Sequence, residues 1–414
     1  MKSAINAPAA ALALLLWAGS AHSDAFDEII KKTALNNGLV RPEELFDQTD
    51  KILVDEGRRL FESKSLSLNG NIACATCHLH KFGSADGIPN AVAIFGVGEG
   101  PERAVRGGPL LPRNALAFWG RGAHGFNTFF WDGKIDYSGP QPVTQFGQRV
   151  PSTDPLVTAI HLPVVEVREM LDEDTFVASN KQETQEAADN IYRAIASKIK
   201  SDEPQTVKSI GNKLSISADE ISYIHLARAI AAFIRTEFRL RETRFHKYVF
   251  DGGELTNEER NGALIFYGKG KCSNCHNGPH FSDFQFHAIP FPQLGFGKNG
   301  FGVDYGRFNV TFSPDDLYKF RTAPLYNVSK TAPFGHSGSI ATLENAITAH
   351  FDPLSLVDTA KLSALDRHEL FKRISAAGTS AHFLSYLSPK EVRDVANFLR
   401  ALSFEVPENE RTVP

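Results

Sequence analysis

The sequence is poor in sulfur. Methionine occurs twice, at Met1 and Met170, and cysteine four times among 414 residues. The four cysteines fall in two short stretches, so none is left for any other purpose. Long hydrophobic runs are lacking as well. Ala9 to Trp17 is apolar but too short to span a bilayer, and no other stretch approaches the roughly 20 residues required. A basic patch is also missing, which argues against nucleic acid as a partner. The formal net charge is −4, and mild acidity of this kind does not say which protein surface is recognised.

The features that are present begin at the N-terminus. Lys2, the apolar stretch Ala9 to Trp17 and the small residues around Ala21 to Ser23 have the order of a secretory signal peptide. Residues 1–23 are therefore expected to be cleaved on export, which removes Lys2 and leaves the mature chain one unit more negative.

Cys74-Ala75-Thr76-Cys77-His78 and Cys272-Ser273-Asn274-Cys275-His276 both read Cys-X-X-Cys-His. That spelling is the attachment site of c-type haem: the two thiols add across the porphyrin vinyl groups, and the histidine becomes the proximal iron ligand. Three other uses compete. A zinc ribbon usually brings its cysteine pairs within about 15–20 residues of each other, whereas most of the chain separates these two. A redox dithiol could occur once, though hardly twice with a histidine following each time. Two structural disulfides would suit an exported protein. The repeated histidine favours haem. Covalent attachment by this motif takes place outside the cytoplasmic membrane in bacteria, in agreement with the export signal. The expectation is a soluble periplasmic protein with two covalently bound haems and electron or peroxide chemistry.

The two motifs have similar surroundings. Gly57 and Phe61 precede the first, and Gly262 and Phe266 the second, each pair four residues apart and so on one face of a helix. Glycine permits close approach of another helix, and the aromatic can pack beside a porphyrin. The second of these helices starts with the capping box Thr256-Asn257-Glu258-Glu259. Each half closes with an amphipathic helix. One is expected over Ala218 to Phe238; the other begins at Ser388-Pro389-Lys390-Glu391 and carries Val392, Val395, Phe398, Leu399 and Leu402. Glycine- and proline-rich stretches, Phe82 to Arg113 and Phe291 to Tyr305, are expected to be irregular and ordered by wrapping a haem. The predicted architecture is mostly α, with two cytochrome c-like haem domains in tandem and long irregular loops. Their expected bounds are 24–250 and 251–404, followed by a short tail, 405–414.

With these elements in order, the chain resembles the bacterial di-haem cytochrome c peroxidase and MauG superfamily from about Leu53 to Leu402. The shared landmarks are Phe130-Trp131-Asp132-Gly133, Asp304-Tyr305-Gly306-Arg307, Phe320-Arg321-Thr322-Ala323-Pro324-Leu325-Tyr326-Asn327, Thr331-Ala332-Pro333-Phe334-Gly335-His336-Ser337-Gly338, and Ala341-Thr342-Leu343-Glu344-Asn345-Ala346-Ile347. Tyr326 stands where many members have an arginine, which puts a haem-propionate contact in doubt.

The resemblance implies a role for several residues. The position just after Thr342-Leu343-Glu344 holds methionine in the peroxidases and tyrosine in MauG; here it is His350. Neither methionine of the chain can fill it, so the second haem is expected to be bis-histidine, through His276 and His350. Methionine opposite histidine raises a haem's potential; a second imidazole instead favours the higher oxidation states. Peroxidase members carry a removable distal histidine in an Ile-Gly-His-Gly loop, where this chain has Phe95-Gly96-Val97-Gly98. The iron at His78 is therefore expected to stay open to peroxide, with His124 and His161 as substitutes to be tested and His80 too close in sequence to reach the opposite face. Glu169 matches the family's acid–base carboxylate, with Glu166 as competitor and Gln141 as a weak companion. Trp131 matches the tryptophan between the haems, an electron relay. Asn114, Thr331 and Pro333 match a calcium site.

The implied activity is that of the MauG type and its MbnH-like branch. Hydrogen peroxide would form a high-valent di-haem state that oxidises an aromatic residue, such as tryptophan, of a periplasmic partner protein. Two alternatives remain open. One is a di-haem peroxidase that reduces hydrogen peroxide with electrons from a small cytochrome or copper protein. The other is an electron-transfer cytochrome with two six-coordinate irons.

Overall fold

The structure is a computed structural model and describes residues 25–147, 149–175, 185–298, 302–378 and 385–411. The expected signal peptide, 1–23, and the last three residues of the expected tail lie outside these.

Among the helices of the described residues, those that concern the two motifs are α1 (Lys51–Glu62), α2 (Gln185–Asp202), α3 (Pro204–Leu214), α4 (Tyr223–Glu237), α5 (Asn257–Tyr267), α6 (Leu343–Ala349) and α7 (Pro389–Ala401). Their ends follow local chemistry. Asp50 caps α1 by accepting from the Ile52 and Leu53 amides. Thr256 with Glu259, and Ser388 with Glu391, form the two expected capping boxes, the second with Pro389 at the first helical position. The helix expected from Ala218 starts instead at Tyr223. Ser217 bonds Glu220 through both its amide and its hydroxyl, and this local turn occupies the residues that a helix would have used.

The two glycine–phenylalanine pairs do what their spacing implies. α1 crosses α4 with Gly57 against the backbone of Ala229, and α5 crosses α7 with Gly262 against that of Asp394. A methyl group at either position would overlap a carbonyl oxygen of the facing helix. Beneath the first crossing, Phe61 meets Phe233, Phe238 and Phe118; beneath the second, Phe266 meets Phe398 and Phe281. Gly57→Ala and Gly262→Ala are each expected to destabilise the haem-loaded protein by about 3 kcal/mol, the upper end for overpacking. A thermal unfolding midpoint unchanged from wild type would show that the crossings are looser than this.

Strand content is slight. β1 (Thr128–Phe129), β2 (Ile135–Asp136) and β3 (Val143–Thr144) form an antiparallel sheet in that order, with Thr128 opposite Asp136 and Ile135 opposite Thr144. β4 (Phe286–His287) pairs antiparallel with β5 (Phe320–Arg321). The stretch 82–113 contains one short helix, Pro101–Val105, and the described part of 291–305 has no regular element. Loops from the two halves of the chain are tied together. The Arg321 amide donates to the Trp131 carbonyl at 2.9 Å, and the Arg307 guanidinium donates to the Asp132 carbonyl at 3.0 Å. Among the described residues no helix is long and apolar enough to cross a membrane.

Candidate active site

Both histidines of the repeated motif are held in the same way. His78 Nδ1 bonds the Ser84 carbonyl at 2.9 Å, and His276 Nδ1 bonds the Phe281 carbonyl at 3.0 Å. Ser84 and Phe281 both adopt the left-handed backbone region, with φ of 68° and 51°, uncommon for residues other than glycine. Those turns bring each carbonyl back onto the ring and leave Nε2 as the outward nitrogen. Burial lowers His78 to about 3 and His276 to about 4, so both imidazoles are neutral. A neutral ring fixed through Nδ1 by a carbonyl is the usual state of a metal-ligating histidine. No disulfide joins the four cysteines, and burial pushes the thiols of Cys74, Cys77 and Cys272 up to about 12.

His350 follows the last turn of α6, where its Nδ1 bonds the Ala346 carbonyl at 2.7 Å. Its ring centroid lies 6.4 Å from that of His276. This spacing accommodates one metal ion with a bond of about 2 Å to each ring. Both rings line an apolar cavity of about 280 Å³ together with Cys272, Cys275, Trp119 and Arg321. No histidine comes as near to His78 among the described residues; its ring is stacked on Phe118 at 3.7 Å. The three other histidines considered from sequence are engaged elsewhere. His80 pairs with the buried Glu237 at 2.6 Å, His124 is exposed beside Asp47, and His161 bonds the Val157 carbonyl among the rings of Tyr192 and Tyr223.

Glu169 lies near the first motif, close enough for its charge to act on both Cys74 and Cys77. Burial pushes its carboxyl up to about 7; Lys134 and Lys298 oppose the rise and Glu166 adds to it. No hydrogen bond or ion pair engages that carboxyl among the described residues. Glu166, by contrast, is committed to Lys134: burial works against its ionisation, but Lys134 and Lys298 outweigh it and hold Glu166 below the ordinary range. Gln141 is exposed. Trp131 donates its indole N–H to the Asn114 carbonyl at 3.0 Å and lines the cavity that holds His276 and His350. Asn114, Thr331 and Pro333 all line that cavity. The Asn114 amide nitrogen lies 2.6 Å from the Pro333 carbonyl, and its buried Oδ1 has no hydrogen-bond partner. Tyr326, in the place of the family's arginine, bonds His246 at 3.0 Å.

Sequence reasoning missed two buried cations. Arg121 and Arg321 lie near each other, and neither forms an ion pair among the described residues. Burial lowers them to about 9 and about 10, and the charge of Arg321 lowers Arg121 further. Arg121 also acts on His78, and Arg321 lines the cavity of His276 and His350. Arg121 lies over the Phe118 ring at 4.6 Å and Arg321 over the Phe284 ring at 5.5 Å, and each donates to backbone carbonyls; a buried positive charge without a carboxylate also suits an anion, and the propionates of a haem are such anions. The residues around both motifs therefore fit haem.

Residues 52–254 match the family described as di-haem cytochrome c peroxidase. The chain belongs to the di-haem cytochrome c peroxidase and MauG family. It is 25% identical over 356 residues to the cytochrome c551 peroxidase of Pseudomonas aeruginosa, covering 85% of this chain and 78% of that protein. It is 27% identical over 339 residues to the methylamine utilization protein MauG of Methylorubrum extorquens, covering 81% and 78%. Among solved structures, a MauG-like protein associated with microbial copper homeostasis superimposes with a TM-score of 0.64 at 22% identity, over 91% of this chain and 96% of that one. The diheme peroxidase BthA of Burkholderia thailandensis does so with a TM-score of 0.61 at 19% identity, over 91% and 93%. These two likenesses establish the shared fold. Membership of the family makes this protein a peroxidase-type oxidoreductase and implies two haem groups.

Proposed function

We propose that the protein is a MauG-type enzyme of the MbnH-like branch, which uses hydrogen peroxide to oxidise an aromatic side chain, such as tryptophan, of a partner protein in the periplasm. The observation that carries this reading is the inequality of the two motifs: His276 faces His350 at 6.4 Å, whereas His78 faces no second histidine among the described residues. One haem would be covalently held by Cys74 and Cys77 in the domain 24–250, and the other by Cys272 and Cys275 in the domain 251–404. Bound there, the haems would supply the redox chemistry with peroxide.

The chain's own residues would do the following. His78 and His276 present Nε2 from rings fixed through Nδ1, and His350 closes the second site while the first stays open. Glu169, raised to about 7 by burial, moves a proton between the two peroxide oxygens; groups titrating near the working pH serve best for this. Glu166 and Lys134 form a neutral pair that keeps a second free carboxylate away. Trp131 relays electrons between the sites, its N–H anchored on a carbonyl. Asn114 would give Oδ1 to a calcium ion, with Thr331 and Pro333 offering carbonyls; an orphaned buried oxygen beside carbonyls suits a hard cation.

The test is stoichiometric peroxide added to the fully ferric protein, followed by absorption and electron paramagnetic resonance. The reading expects an immediate two-electron change without prior reduction. A protein that must first receive an electron, or that turns over rapidly and persistently with small cytochrome or copper donors, would overturn it in favour of a donor-dependent peroxidase.

A further inference from the structure

A protein that generates oxidising equivalents is the first to meet them, and this surface offers few side chains that they could attack. The only methionine among the described residues, Met170, is buried, and the four cysteines belong to the two motifs. Trp119 is buried and Trp131 half-buried. Eight of the nine tyrosines are buried or half-buried. The ninth, Tyr386, is 67% exposed. One exposed aromatic is ordinary on a protein surface; the place of this one is not.

Tyr386 stands directly behind the wall of the cavity that holds His276 and His350. Its ring meets that of Phe351 edge-on, with centroids 5.6 Å apart, a favoured separation for such pairs. Phe351 follows His350 in the chain and lines the cavity. The backbone is pinned on the other side. Leu387 is buried and lines the same cavity, and Ser388 caps α7 by accepting from the Glu391 amide. A phenol in contact with water is thus one aromatic ring away from the second site.

We propose that Tyr386 is the point at which oxidising equivalents leave the protein, and the residue that touches the partner's aromatic side chain. Trp131 keeps the relay between the two sites, while Tyr386 connects the second site to the surface. The proposal rests on peroxide as the oxidant of a MauG-type enzyme. Hydrogen peroxide takes up two electrons and two protons and leaves as two waters, so the protein is two electrons short. Tyr386 gives one electron inward past Phe351 and its phenolic proton to water, and becomes a neutral phenoxyl radical. That radical takes one electron from the partner's ring and one proton from water, which restores the phenol. Two such passes remove two electrons from the partner. Phe351 is not oxidised; its ring fills the gap and keeps water out of it.

The test adds hydrogen peroxide to the haem-loaded protein alone, with the spin trap dibromonitrosobenzenesulfonate present, and maps the adduct by peptide mass spectrometry. Wild type is expected to carry the adduct on Tyr386. Without the trap, phenoxyl radicals couple, and a covalent dimer with dityrosine fluorescence is expected. Tyr386→Phe keeps a ring against Phe351 and removes the phenol, and loss of both products is expected. Tyr386→Trp supplies an oxidisable ring again; it is expected to restore a trap adduct at this position without the dityrosine dimer. The absorption change on addition of peroxide reports on the underlying reading. A wild-type protein whose absorption peroxide leaves unaltered would sink that reading and this proposal with it. A wild type that responds to peroxide but carries its adduct elsewhere, or a Tyr386→Phe variant that dimerises through dityrosine as wild type does, would overturn the proposal alone.

Discussion

Glu169→Gln is expected to slow the reaction of the ferric protein with hydrogen peroxide by about 10²- to 10⁴-fold, the usual contribution of a positioned acid–base group. Glutamine preserves size and cannot carry the proton. Stopped-flow absorption under excess peroxide gives the rate constant directly. The pH dependence is as diagnostic as the loss. Burial raises the Glu169 carboxyl to about 7, so it is protonated below that pH and ionised above it. Neutral peroxide needs a base to take its first proton, and the wild-type rate should therefore climb with pH through about 7 and level off. The inflection should be missing from Glu169→Gln. Its neighbours should move the inflection in opposite senses. Lys134 holds the Glu169 carboxyl down and Glu166 holds it up, so Lys134→Gln shifts the inflection to higher pH and Glu166→Gln to lower pH. Were Glu166 the acid–base group instead, Glu166→Gln would abolish the reaction, and Glu169→Gln would stay within threefold of wild type.

That choice between two carboxylates shows where the sequence stops being legible. Glu166 and Glu169 are three residues apart, and nothing in their spacing ranks them. Family resemblance alone put Glu169 first; the physical reason to prefer it comes from Lys134, which approaches from another segment, claims Glu166 and leaves Glu169 free. Features written in adjacent residues were readable: the Cys-X-X-Cys-His repeats, the capping boxes at Thr256 and Ser388, and the glycine–phenylalanine spacing that puts Gly57 and Gly262 at helix crossings. The start of α4 was misread by five residues because the Ser217–Glu220 turn competes with a helix through side-chain hydrogen bonds, which periodicity does not register. The buried charges of Arg121 and Arg321 went unread for a different reason. A single arginine carries no period, whether in a loop like Arg121 or at the end of β5 like Arg321, and its meaning lies in what fails to pair with it once folded. The left-handed turns at Ser84 and Phe281 are also unsignalled, since neither residue is glycine.

His350→Ala is expected to convert the second site from six- to five-coordinate iron and to erase the low-spin ferric signal in electron paramagnetic resonance, leaving two high-spin centres. The physical ground is local. His276 and His350 are both neutral through burial, both fixed through Nδ1 to carbonyls, and both on the wall of one cavity with rings 6.4 Å apart. Two other imidazoles line that cavity, but His287 is bonded to Asp283 and His336 is stacked on Phe320, and Met170, the only methionine among the described residues, does not line it. His350→Met is the informative companion. A thioether stabilises the reduced iron relative to imidazole, so the midpoint of the second haem should rise by at least about 0.1 V, within the span of about 0.8 V open to axial-ligand changes. A second haem of that kind accepts electrons readily and holds oxidising equivalents poorly. His350→Met should therefore lose oxidation of a partner's aromatic residue while gaining turnover with small reducing proteins. The exchange of one activity for the other would trace the difference between the two arms of the family to this one side chain. A low-spin signal that survives in His350→Ala would instead place the sixth ligand elsewhere, and the inequality of the two sites would need a different origin.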